Sequence, residues 1–578
     1  MTTYSTAHYF LEALVDLGVD YLFANLGTDH VSLIEEIARW DSEGRRHPEV
    51  ILCPHEVVAV HMAAGYAIAT GRGQAVFVHV DAGTANACMA IQNLFRYRLP
   101  VMLFAGRAPF TVHGELKGSR DTYVHFVQDS FDPASILRPY VKWEYTLPSG
   151  IVVKEALARA AAFMHSDPPG PVYMMLPRET LAETWDEQAM PAYPPARYGC
   201  VKAGGIEPAR ARVVAEALMA AENPIALTAY LGRNPDAVAV FARLALACGI
   251  RVAEFNPVTV NIPQNSPCFA GADPAALVAK ADLGLLIDTD VPFVPQSLKA
   301  ADALRWIQID IDPLKADIPM WGFATDLRIQ GDSAIILQQV LEIVEARADD
   351  SYREKVRHRI ESWHPARAAA EARRQSWAAQ KGEPGAINPA FFFARLQALL
   401  ADDDIVLNEA VRNAPVLQQQ LRRAEPLTYV GLAGGGLGFS GGMALGLRLA
   451  TPSRRRVVQI VGDGAFHFAA PDSVYAVSQH YRLPIFTVIL DNGGWQAVKA
   501  SVQRVYPDGA AQRADAFLSR LRSGREGEQR RFVDIACAFG AHGERVGDPD
   551  QLDEAITRCL RAVDAGRAAV LHVDLVPL

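Results

Sequence analysis

Two polar residues near the carboxyl terminus, an acid and an amide, each follow an apolar run. Asp463 follows VVQIVG and Asn492 follows IFTVILD, with 27 residues between Gly464 and Asn492. Carboxyl ends of parallel strands share one edge of an open sheet, so we expect the two side chains to lie close together. A carboxylate, an amide oxygen and the Gly494 carbonyl are hard ligands that suit Mg²⁺ or Ca²⁺, with phosphate oxygens and water completing the shell. Gly462 and Gly464 allow close approach of the backbone to a bulky ligand.

Simpler interpretations exist for each part of this pattern. Gly-Asp-Gly alone is typical of a tight turn, and an asparagine alone often caps a helix. Two matching strand ends favour a metal–diphosphate site. Upstream, GLGFSG at residues 436–441 fits the G-x-G-x-x-G pattern of dinucleotide sites. The preceding TYVGLAGG does not run from a strand directly into the first glycine. A nicotinamide enzyme is therefore a less favoured alternative, and it predicts NAD binding without Mg²⁺.

Short β-branched runs alternate with Ala- and Leu-rich amphipathic segments along the whole chain. This alternation predicts an α/β protein of doubly wound parallel sheets. The runs that we predict to be buried strands are AVFVHV, PVMLFAG, IALTAY, LGLLID, RWIQIDID, VVQIVGD, IFTVIL and AVLHVDL.

Two irregular segments divide the chain into three predicted domains. The first, residues 189–200, is proline-rich, and the second, residues 351–385, is charged, helix-prone and broken by Gly-Glu-Pro-Gly. We therefore predict an N-terminal domain over 1–190, a central α/β domain over 195–345, a linker over 346–384 and a C-terminal domain over 385–578.

Composition narrows the class of protein. The chain has 578 residues, is 50% hydrophobic and carries a net charge of −9. The negative charge argues against nucleic-acid binding, which requires a basic surface. No apolar run approaches the roughly 20 residues that span a bilayer, and we expect no signal peptide. The seven cysteines are scattered without C-x-x-C, which predicts neither a zinc site nor a disulfide framework. We expect a cytoplasmic enzyme with no membrane or nucleic-acid partner.

Gly-Asp-Gly followed after about 25 residues by an asparagine resembles the diphosphate motif of thiamine-diphosphate-dependent enzymes. The chain is most similar to the acetolactate synthase and benzoylformate decarboxylase group, whose three-domain plan it also follows. That group usually has Asn-Asn where this chain has Asp491-Asn492. The resemblance implies that Asp463, Asn492 and the Gly494 carbonyl hold Mg²⁺ against the cofactor diphosphate in the C-terminal domain.

The resemblance assigns further residues to cofactor binding. GGLGFSGGMALG matches the segment that supports the bent cofactor, and Leu437 falls where an apolar side chain lies between the two rings; an ordinary core leucine is the alternative. Asn413 in NEAVRN is placed to donate to phosphate oxygens. The cofactor-binding positions that it implies around the metal are Gly462, Asp463, Gly464, Ala465, Asn492, Gly494 and Trp495.

Glu56 follows a short predicted strand and begins an Ala-rich helix. A glutamate in a first helical turn is often present only because it suits the helix dipole. In this family, however, a glutamate before a stretch such as HMAAGYA bonds the aminopyrimidine and shuttles a proton to its ring nitrogen. The resemblance therefore makes Glu56 a catalytic and cofactor-binding residue of a pyrimidine-binding N-terminal domain. It also implies that Glu56 and the metal loop come from different subunits of a homodimer or homotetramer.

Three further positions resemble residues on the substrate side of the cofactor. His79 matches an active-site histidine of benzoylformate decarboxylase that acetolactate synthases lack, although a lone histidine at a strand end is more often a core group. Gln128 in HFVQDSFD falls near a glutamine of acetolactate synthases. Thr28 in NLGTDH occupies the position of an aspartate in pyruvate decarboxylases and a serine in benzoylformate decarboxylase.

The resemblance implies decarboxylation of a 2-oxo acid followed by addition to a second carbonyl, as in acetolactate synthase. The alternatives are a non-ligating decarboxylase, a carbon–carbon lyase acting on an acyloin or diketone, and a non-catalytic cofactor-binding paralogue. Acetolactate synthases also hold FAD in the central domain, while several relatives do not. Nothing in the sequence requires FAD here, so it is a less favoured cofactor.

Overall fold

The computed structural model describes residues 2–298, 303–451, 455–520 and 530–577. These residues form three α/β units, each built on a parallel sheet with helices between the strands. The doubly wound fold class predicted from strand–helix alternation is confirmed. Most sheet strands are apolar and buried along their length, as expected when helices cover both faces.

The N-terminal sheet has the strand order β3-β2-β4-β5-β7-β6, and a small antiparallel pair, β1-β8, lies beside it. The strands of this unit are β1 (Thr3–Ser5), β2 (Tyr21–Ala24), β3 (Glu49–Leu52), β4 (Gln74–Val78), β5 (Val101–Arg107), β6 (Glu144–Thr146), β7 (Val172–Pro177) and β8 (Thr184–Asp186). The helices are α1 (Thr6–Asp16), α2 (Val31–Ser42), α3 (Glu56–Thr70), α4 (Asp81–Tyr97), α5 (Val124–Val127), α6 (Val153–His165) and α7 (Arg178–Ala182).

The central sheet has the order β10-β9-β11-β12-β13 with all pairings parallel. Its strands are β9 (Pro224–Thr228), β10 (Arg251–Glu254), β11 (Leu283–Ile287), β12 (Arg305–Asp310) and β13 (Leu327–Gln330). Its helices are α8 (Pro208–Ala220), α9 (Pro235–Cys248), α10 (Ala275–Val278) and α11 (Ser333–Arg347). A cavity of about 1320 Å³ opens beside the ends of β9, β10 and β11. Two cations, Arg98 and Lys315, pair there with the Asp290 carboxylate.

Two helices, α12 (Asp350–Glu361) and α13 (His364–Ala378), connect this unit to the last one. A short hairpin, β14 (Gly382–Glu383) and β15 (Ala386–Ile387), precedes the C-terminal sheet of order β17-β16-β18-β19-β21-β20. Its strands are β16 (Ile405–Glu409), β17 (Tyr429–Val430), β18 (Val457–Gly462), β19 (Phe486–Asp491), β20 (His542–Val546) and β21 (Ala569–Asp574). The helices are α14 (Pro389–Leu399), α15 (Ala414–Gln420), α16 (Ser440–Ala450), α17 (Asp463–Phe466), α18 (Pro471–His480), α19 (Gln496–Val505), α20 (Ala510–Ala514), α21 (Phe532–Cys537) and α22 (Leu552–Asp564).

Helix α3 joins the first and last units by packing against α16. Its sequence is apolar nearly all round, as is typical of a helix buried on every side. Glycines let the two backbones touch: a Cβ at Gly65 would lie 2.1 Å from the Met443 carbonyl oxygen, and one at Gly446 would lie 2.0 Å from that of Met62. This contact fixes the position of the N-terminal unit relative to the C-terminal unit.

Within the described part of the chain, we find no helix with the length and apolar character needed to cross a membrane.

Candidate active site

Three of the predicted site residues follow adjacent strands of the N-terminal sheet. Thr28 comes after β2, Glu56 after β3 and His79 directly after β4, and these strands are neighbours in the order β3-β2-β4. Their carboxyl ends therefore deliver the three residues to one edge, where open α/β sheets bind ligands. The stretch 81–86, which resembles a glycine-rich loop in sequence, forms the first turns of α4 instead.

Glu56 is the first residue of α3, as its sequence context predicted, and its side chain is buried. The His55 side chain caps the helix by accepting from the backbone N–H of Val57. The Asn86 amide donates to Glu56 Oε2 at 3.2 Å. A Cβ at Gly83 would lie 3.4 Å from Glu56 Oε1 and 3.3 Å from His79 Cβ. Gly83 therefore occupies the space between the two side chains, and the structure brings Glu56 and His79 together.

His79 pairs with an acid that the sequence did not single out. Its Nδ1 lies 2.7 Å from Oδ1 of Asp29, which is fully buried. The hydrogen bond to Asp29 raises the pKa of His79 above its ordinary value, although partial burial opposes this shift. Burial would raise the pKa of Asp29, but the neighbouring His30 and His79 outweigh it and lower the pKa. The edge thus holds an imidazole that favours its protonated form.

A second buried imidazole contacts Thr28. His125 Nε2 lies 3.1 Å from Thr28 Oγ1, and Arg178 approaches the other ring nitrogen at 3.5 Å. Burial and the Arg178 guanidinium lower the pKa of His125, which disfavours the charged form of this ring. Gln128 directly follows a short helix, α5, that contains His125, and its buried Oε1 has no hydrogen-bond partner among the described residues. His125 was missed because 97 residues separate it from Thr28 in sequence.

The predicted metal ligands converge at the ends of β18 and β19, which are neighbouring strands. One terminal atom of the Asn492 amide lies 3.1 Å from the Gly494 carbonyl oxygen and 3.3 Å from Asp463 Oδ1. A nitrogen at this position would donate to both. If this atom is the amide oxygen, it converges with the Gly494 carbonyl oxygen and Asp463 Oδ1. Its distances to these two oxygens are close to the roughly 3.0 Å edge of an octahedron with Mg²⁺–oxygen bonds of about 2.1 Å. The arrangement fits the predicted Mg²⁺ site.

Charge at this edge also suits a cation. Burial and the Asp491 carboxylate raise the pKa of Asp463 to about 6. Arg530 partly offsets the repulsion by donating to both acids, at 2.5 Å to Asp463 Oδ2. Asp491, which stands where the family usually has asparagine, also accepts from the backbone N–H of Gly493 at 3.1 Å and lies 2.9 Å from His572 Nε2. The departure from the family pattern is therefore accommodated by three partners.

The other predicted cofactor contacts surround this edge. Gly462 ends β18, and Asp463, Gly464 and Ala465 form the first turn of α17. A Cβ at Gly464 would lie 2.7 Å from the Trp495 ring, so a glycine is required beside this indole. The Trp495 Nε1–H is buried without an acceptor among the described residues. This unpartnered donor at the metal edge suits an anionic ligand such as a diphosphate.

Leu437 lies in the loop between β17 and α16, half-buried against an apolar cluster that includes Ala465 and Phe466. Asn93 of α4 fixes the loop by exchanging two 3.0 Å hydrogen bonds with the backbone of Gly436. Buried Glu409, missed in the sequence, accepts from the backbone N–H groups of Gly438 and Ser440. Asn413 caps α15 in a buried position, where its Oδ1 has no partner among the described residues.

Helix α4 connects three regions of the molecule. Asn86 near its start contacts Glu56, and Asn93 in its middle holds the Leu437 loop. At its end Arg98 donates to Asp290 of the central unit at 2.7 Å. Helix α4 therefore positions both the Leu437 loop and the Glu56 side chain.

Comparisons with known proteins agree with this geometry. The thiamine pyrophosphate enzyme N-terminal TPP binding domain matches residues 4–136, and the corresponding C-terminal domain matches residues 412–573. Benzoylformate decarboxylase from Pseudomonas aeruginosa is 28% identical over 515 residues, which cover 86% of this chain and 88% of that protein. The acetolactate synthase isozyme 3 large subunit from Escherichia coli is 24% identical over 598 residues, covering 100% of this chain and 95% of that one.

A solved structure, the thiamine diphosphate-dependent 4-hydroxybenzoylformate decarboxylase of Rhodococcus jostii, has the same fold. Its TM-score is 0.78 at 20% identity, with 100% of both chains covered. The two domain matches lead to one conclusion. This chain belongs to the family of thiamine pyrophosphate enzymes, as its sequence motifs indicated.

Proposed function

We propose that this chain uses thiamine diphosphate and Mg²⁺ to decarboxylate a 2-oxo acid and release an aldehyde. The observation that carries the proposal is the position of His79, whose Nδ1 lies 2.7 Å from buried Asp29 Oδ1 and whose side chain faces Glu56 across Gly83. A protonated imidazole beside the cofactor acid can deliver the proton that an aldehyde product requires. Similarity to a relative named benzoylformate decarboxylase also favours decarboxylation without ligation. Plain decarboxylation therefore moves ahead of the ligation that the sequence favoured.

The proposal assigns the cofactor to residues from both edges. When bound, thiamine diphosphate supplies an acidic ring carbon that adds to the substrate ketone and takes up the electron pair released with carbon dioxide. Asp463, Asn492 and the Gly494 carbonyl hold Mg²⁺ against the diphosphate. Leu437 supports the cofactor from the loop fixed by Asn93. Glu56 exchanges a proton with the aminopyrimidine nitrogen.

On the substrate side, His79 donates a proton to the carbon from which carbon dioxide has left. Thr28 orients the substrate with the help of His125, its 3.1 Å partner. Gln128 lies on the segment that follows His125.

Carbon–carbon ligation is the second candidate. The unpartnered Oε1 of Gln128 and full-length similarity to an acetolactate synthase favour it. In that reaction a second carbonyl compound takes the place of the proton from His79. Product analysis separates the two reactions.

We also propose that the two edges complete one another in a homodimer or homotetramer. Large apolar side chains are exposed near both edges, and exposed apolar patches of this kind mark interaction surfaces. Those of the N-terminal unit are Phe110, Tyr123, Phe126, Val127 and Phe131. Those of the C-terminal unit are Phe468, Val498, Val505, Tyr506 and Leu518.

The activity test supplies thiamine diphosphate and Mg²⁺ with a panel of aromatic and aliphatic 2-oxo acids and identifies products by mass spectrometry. Wild type is compared with His79→Gln and with His358→Gln, an exposed control. Aldehyde formation that falls only in His79→Gln supports the proposal. Acyloin or acetohydroxy acid as the main wild-type product would move the assignment to ligation. No consumption of any 2-oxo acid by a holoenzyme that retains cofactor would overturn the proposed substrate class.

Subunit sharing is tested by co-expressing differently tagged Glu56→Gln and Asp463→Ala chains. If each site takes Glu56 from one chain and Asp463 from another, a mixed dimer has one intact site. Random assembly should then restore about a quarter of wild-type activity. Mixed oligomers without activity would show that both residues must come from the same chain.

A further inference from the structure

Asp29 occupies a space that two glycines leave open. A Cβ at Gly106 would lie 1.3 Å from Asp29 Oδ2, and one at Gly27 would lie 2.7 Å from Oδ1 and 2.4 Å from His79 Cγ. The carboxyl group is fully buried although it is ionisable. Burying a charge is costly unless a partner compensates it. The close contact with His79 provides that partner.

Two groups lie within hydrogen-bonding distance of His79 Nδ1. Asp29 Oδ1 is at 2.7 Å, and the backbone nitrogen of Val80 is at 2.9 Å. A ring nitrogen that bears a proton can donate to the carboxylate but cannot accept from Val80, so the two contacts are alternatives. The buried carboxylate is the stronger partner because bonds to ionised groups are shorter and stronger. A proton on Nδ1 would satisfy this carboxylate, whose two oxygens have no hydrogen-bond partner among the described residues.

The other charged or titratable groups around His79 do not replace Asp29. Glu56 and Asp81 also favour the imidazolium, but their effects on its pKa are smaller than that of the Asp29 hydrogen bond. His30 lies 3.5 Å from Asp29, and its burial lowers its own pKa. Burial and Arg178 likewise lower the pKa of His125. Asp29 is thus the dominant anion at this ring.

We propose that Asp29 is a positioning residue that holds the proton on His79 Nδ1 and leaves Nε2 to exchange a proton with the substrate. This role rests on the proposed function for its catalytic consequence, but the pairing itself does not. The carboxylate fixes both the tautomer and the rotation of the ring, as carboxylate partners of catalytic and metal-binding histidines do. Asp29 touches neither cofactor nor substrate in this role.

The pairing is tested without turnover by following the imidazole signals of ¹³C-histidine-labelled holoenzyme against pH. The His79 signal is assigned by its absence in His79→Gln. We expect His79 of wild type to titrate above the ordinary range of histidine, and that of Asp29→Asn to titrate at lower pH. Asp41→Asn, which removes an exposed acid paired with His47, should leave the His79 titration unchanged.

An unchanged His79 titration in Asp29→Asn would overturn the proposal. If Asp29→Asn does not fold, the wild-type titration still decides, because a His79 pKa at or below the ordinary value would contradict the pairing. Neither result depends on which reaction the enzyme catalyses.

The catalytic consequence is tested by a double variant. Asp29→Asn should lower kcat at neutral pH by about 10- to 100-fold and move the alkaline decline of kcat to lower pH, with little change in KM. Asp29→Asn combined with His79→Gln should be no slower than His79→Gln alone, because Asp29 acts through His79. Additive losses would assign Asp29 a different role. If no 2-oxo acid is consumed, the proposed function fails while the NMR test of the pairing still stands.

Discussion

The N-terminal and C-terminal sheets have the same strand topology but carry different chemistry. Their orders, β3-β2-β4-β5-β7-β6 and β17-β16-β18-β19-β21-β20, become identical when the strands of each sheet are numbered from its first. At the N-terminal edge the loops present Glu56, His79 and Asp29, whose side chains can exchange protons. At the C-terminal edge they present oxygen atoms of Asp463, Asn492 and Gly494, which we propose as metal ligands. The fold supplies the positions, and the residue types decide the chemistry.

Electrostatics differ in the same way. At the N-terminal edge the Asp29 carboxylate raises the pKa of His79, so these two groups form an oppositely charged pair. At the C-terminal edge burial and Asp491 raise the pKa of Asp463, so two acids lie close together with Arg530 between them. At the N-terminal edge an acidic and a basic group are paired, which suits proton exchange. The C-terminal edge has an excess of anionic ligands, which suits a divalent cation.

The largest effect is expected at the proton-handling edge. Glu56→Gln should lower kcat by about 10²- to 10⁴-fold, because an amide cannot exchange a proton. Cofactor retention in the presence of Mg²⁺ should survive, since the metal ligands are intact. Steady-state kinetics and cofactor content after gel filtration measure the two effects. Glu49→Gln, which changes an exposed acid of β3, is the control. Loss of the cofactor in Glu56→Gln would show that the N-terminal edge is also needed for cofactor retention, which would contradict the proposed division of roles between the edges.

The reciprocal change is made at the oxygen-ligand edge. Asn492→Leu should weaken Mg²⁺-dependent retention of thiamine diphosphate at least about tenfold, because one ligand oxygen is lost. Isothermal titration at fixed Mg²⁺ measures the affinity. Asn223→Leu, at an exposed turn, should have wild-type affinity. The assignment of the metal to this edge fails if Asn492→Leu binds cofactor as tightly as wild type.

The contact between the two units is tested through the glycines of its helices. Gly446→Ala introduces a Cβ at 2.0 Å from the Met62 carbonyl oxygen. Backbone at this point must move, so we expect a loss of about 1–3 kcal/mol in the free energy of unfolding. Gly435→Ala is the matched control, since nothing lies within 4 Å of its Cβ. Equal stability of the two variants by denaturant titration would contradict the close approach of α3 and α16.

The last prediction concerns the effect of pH on His61, which is buried in α3 between the units. Burial lowers its pKa to about 3, whereas the unfolded chain takes up this proton near pH 6.5. Wild-type stability should therefore fall as pH drops from about 6.5 toward 3, by about 1.4 kcal/mol per pH unit from this residue. His61→Gln should flatten that part of the stability curve, and exposed His358→Gln should not. A parallel decline in wild type and His61→Gln would show that His61 is not buried in its neutral form.

Much of this architecture was predictable from local sequence. All eight apolar runs proposed as strands are strands, because buried parallel strands need no partner information to be recognised. Asp463 and Asn492 were identified by their positions after such runs, and Glu56 by the resemblance of its sequence context to the family. The Asp29–His79 pair was not, since 50 residues separate its members and only the strand order β2-β4 brings them together. Arg530 was missed for the same reason, as it reaches Asp463 from 67 residues away.

Helix α4 physically connects the central unit to the N-terminal edge of the candidate active site. This helix of 17 residues is about 25 Å long, and it links Asp290 at one end to Glu56 at the other through Arg98 and Asn86. A helix transmits displacement along its axis far better than a loop does. A change in the central unit that displaces Asp290 can therefore reach Glu56 through a single helix, over a distance that no direct contact spans.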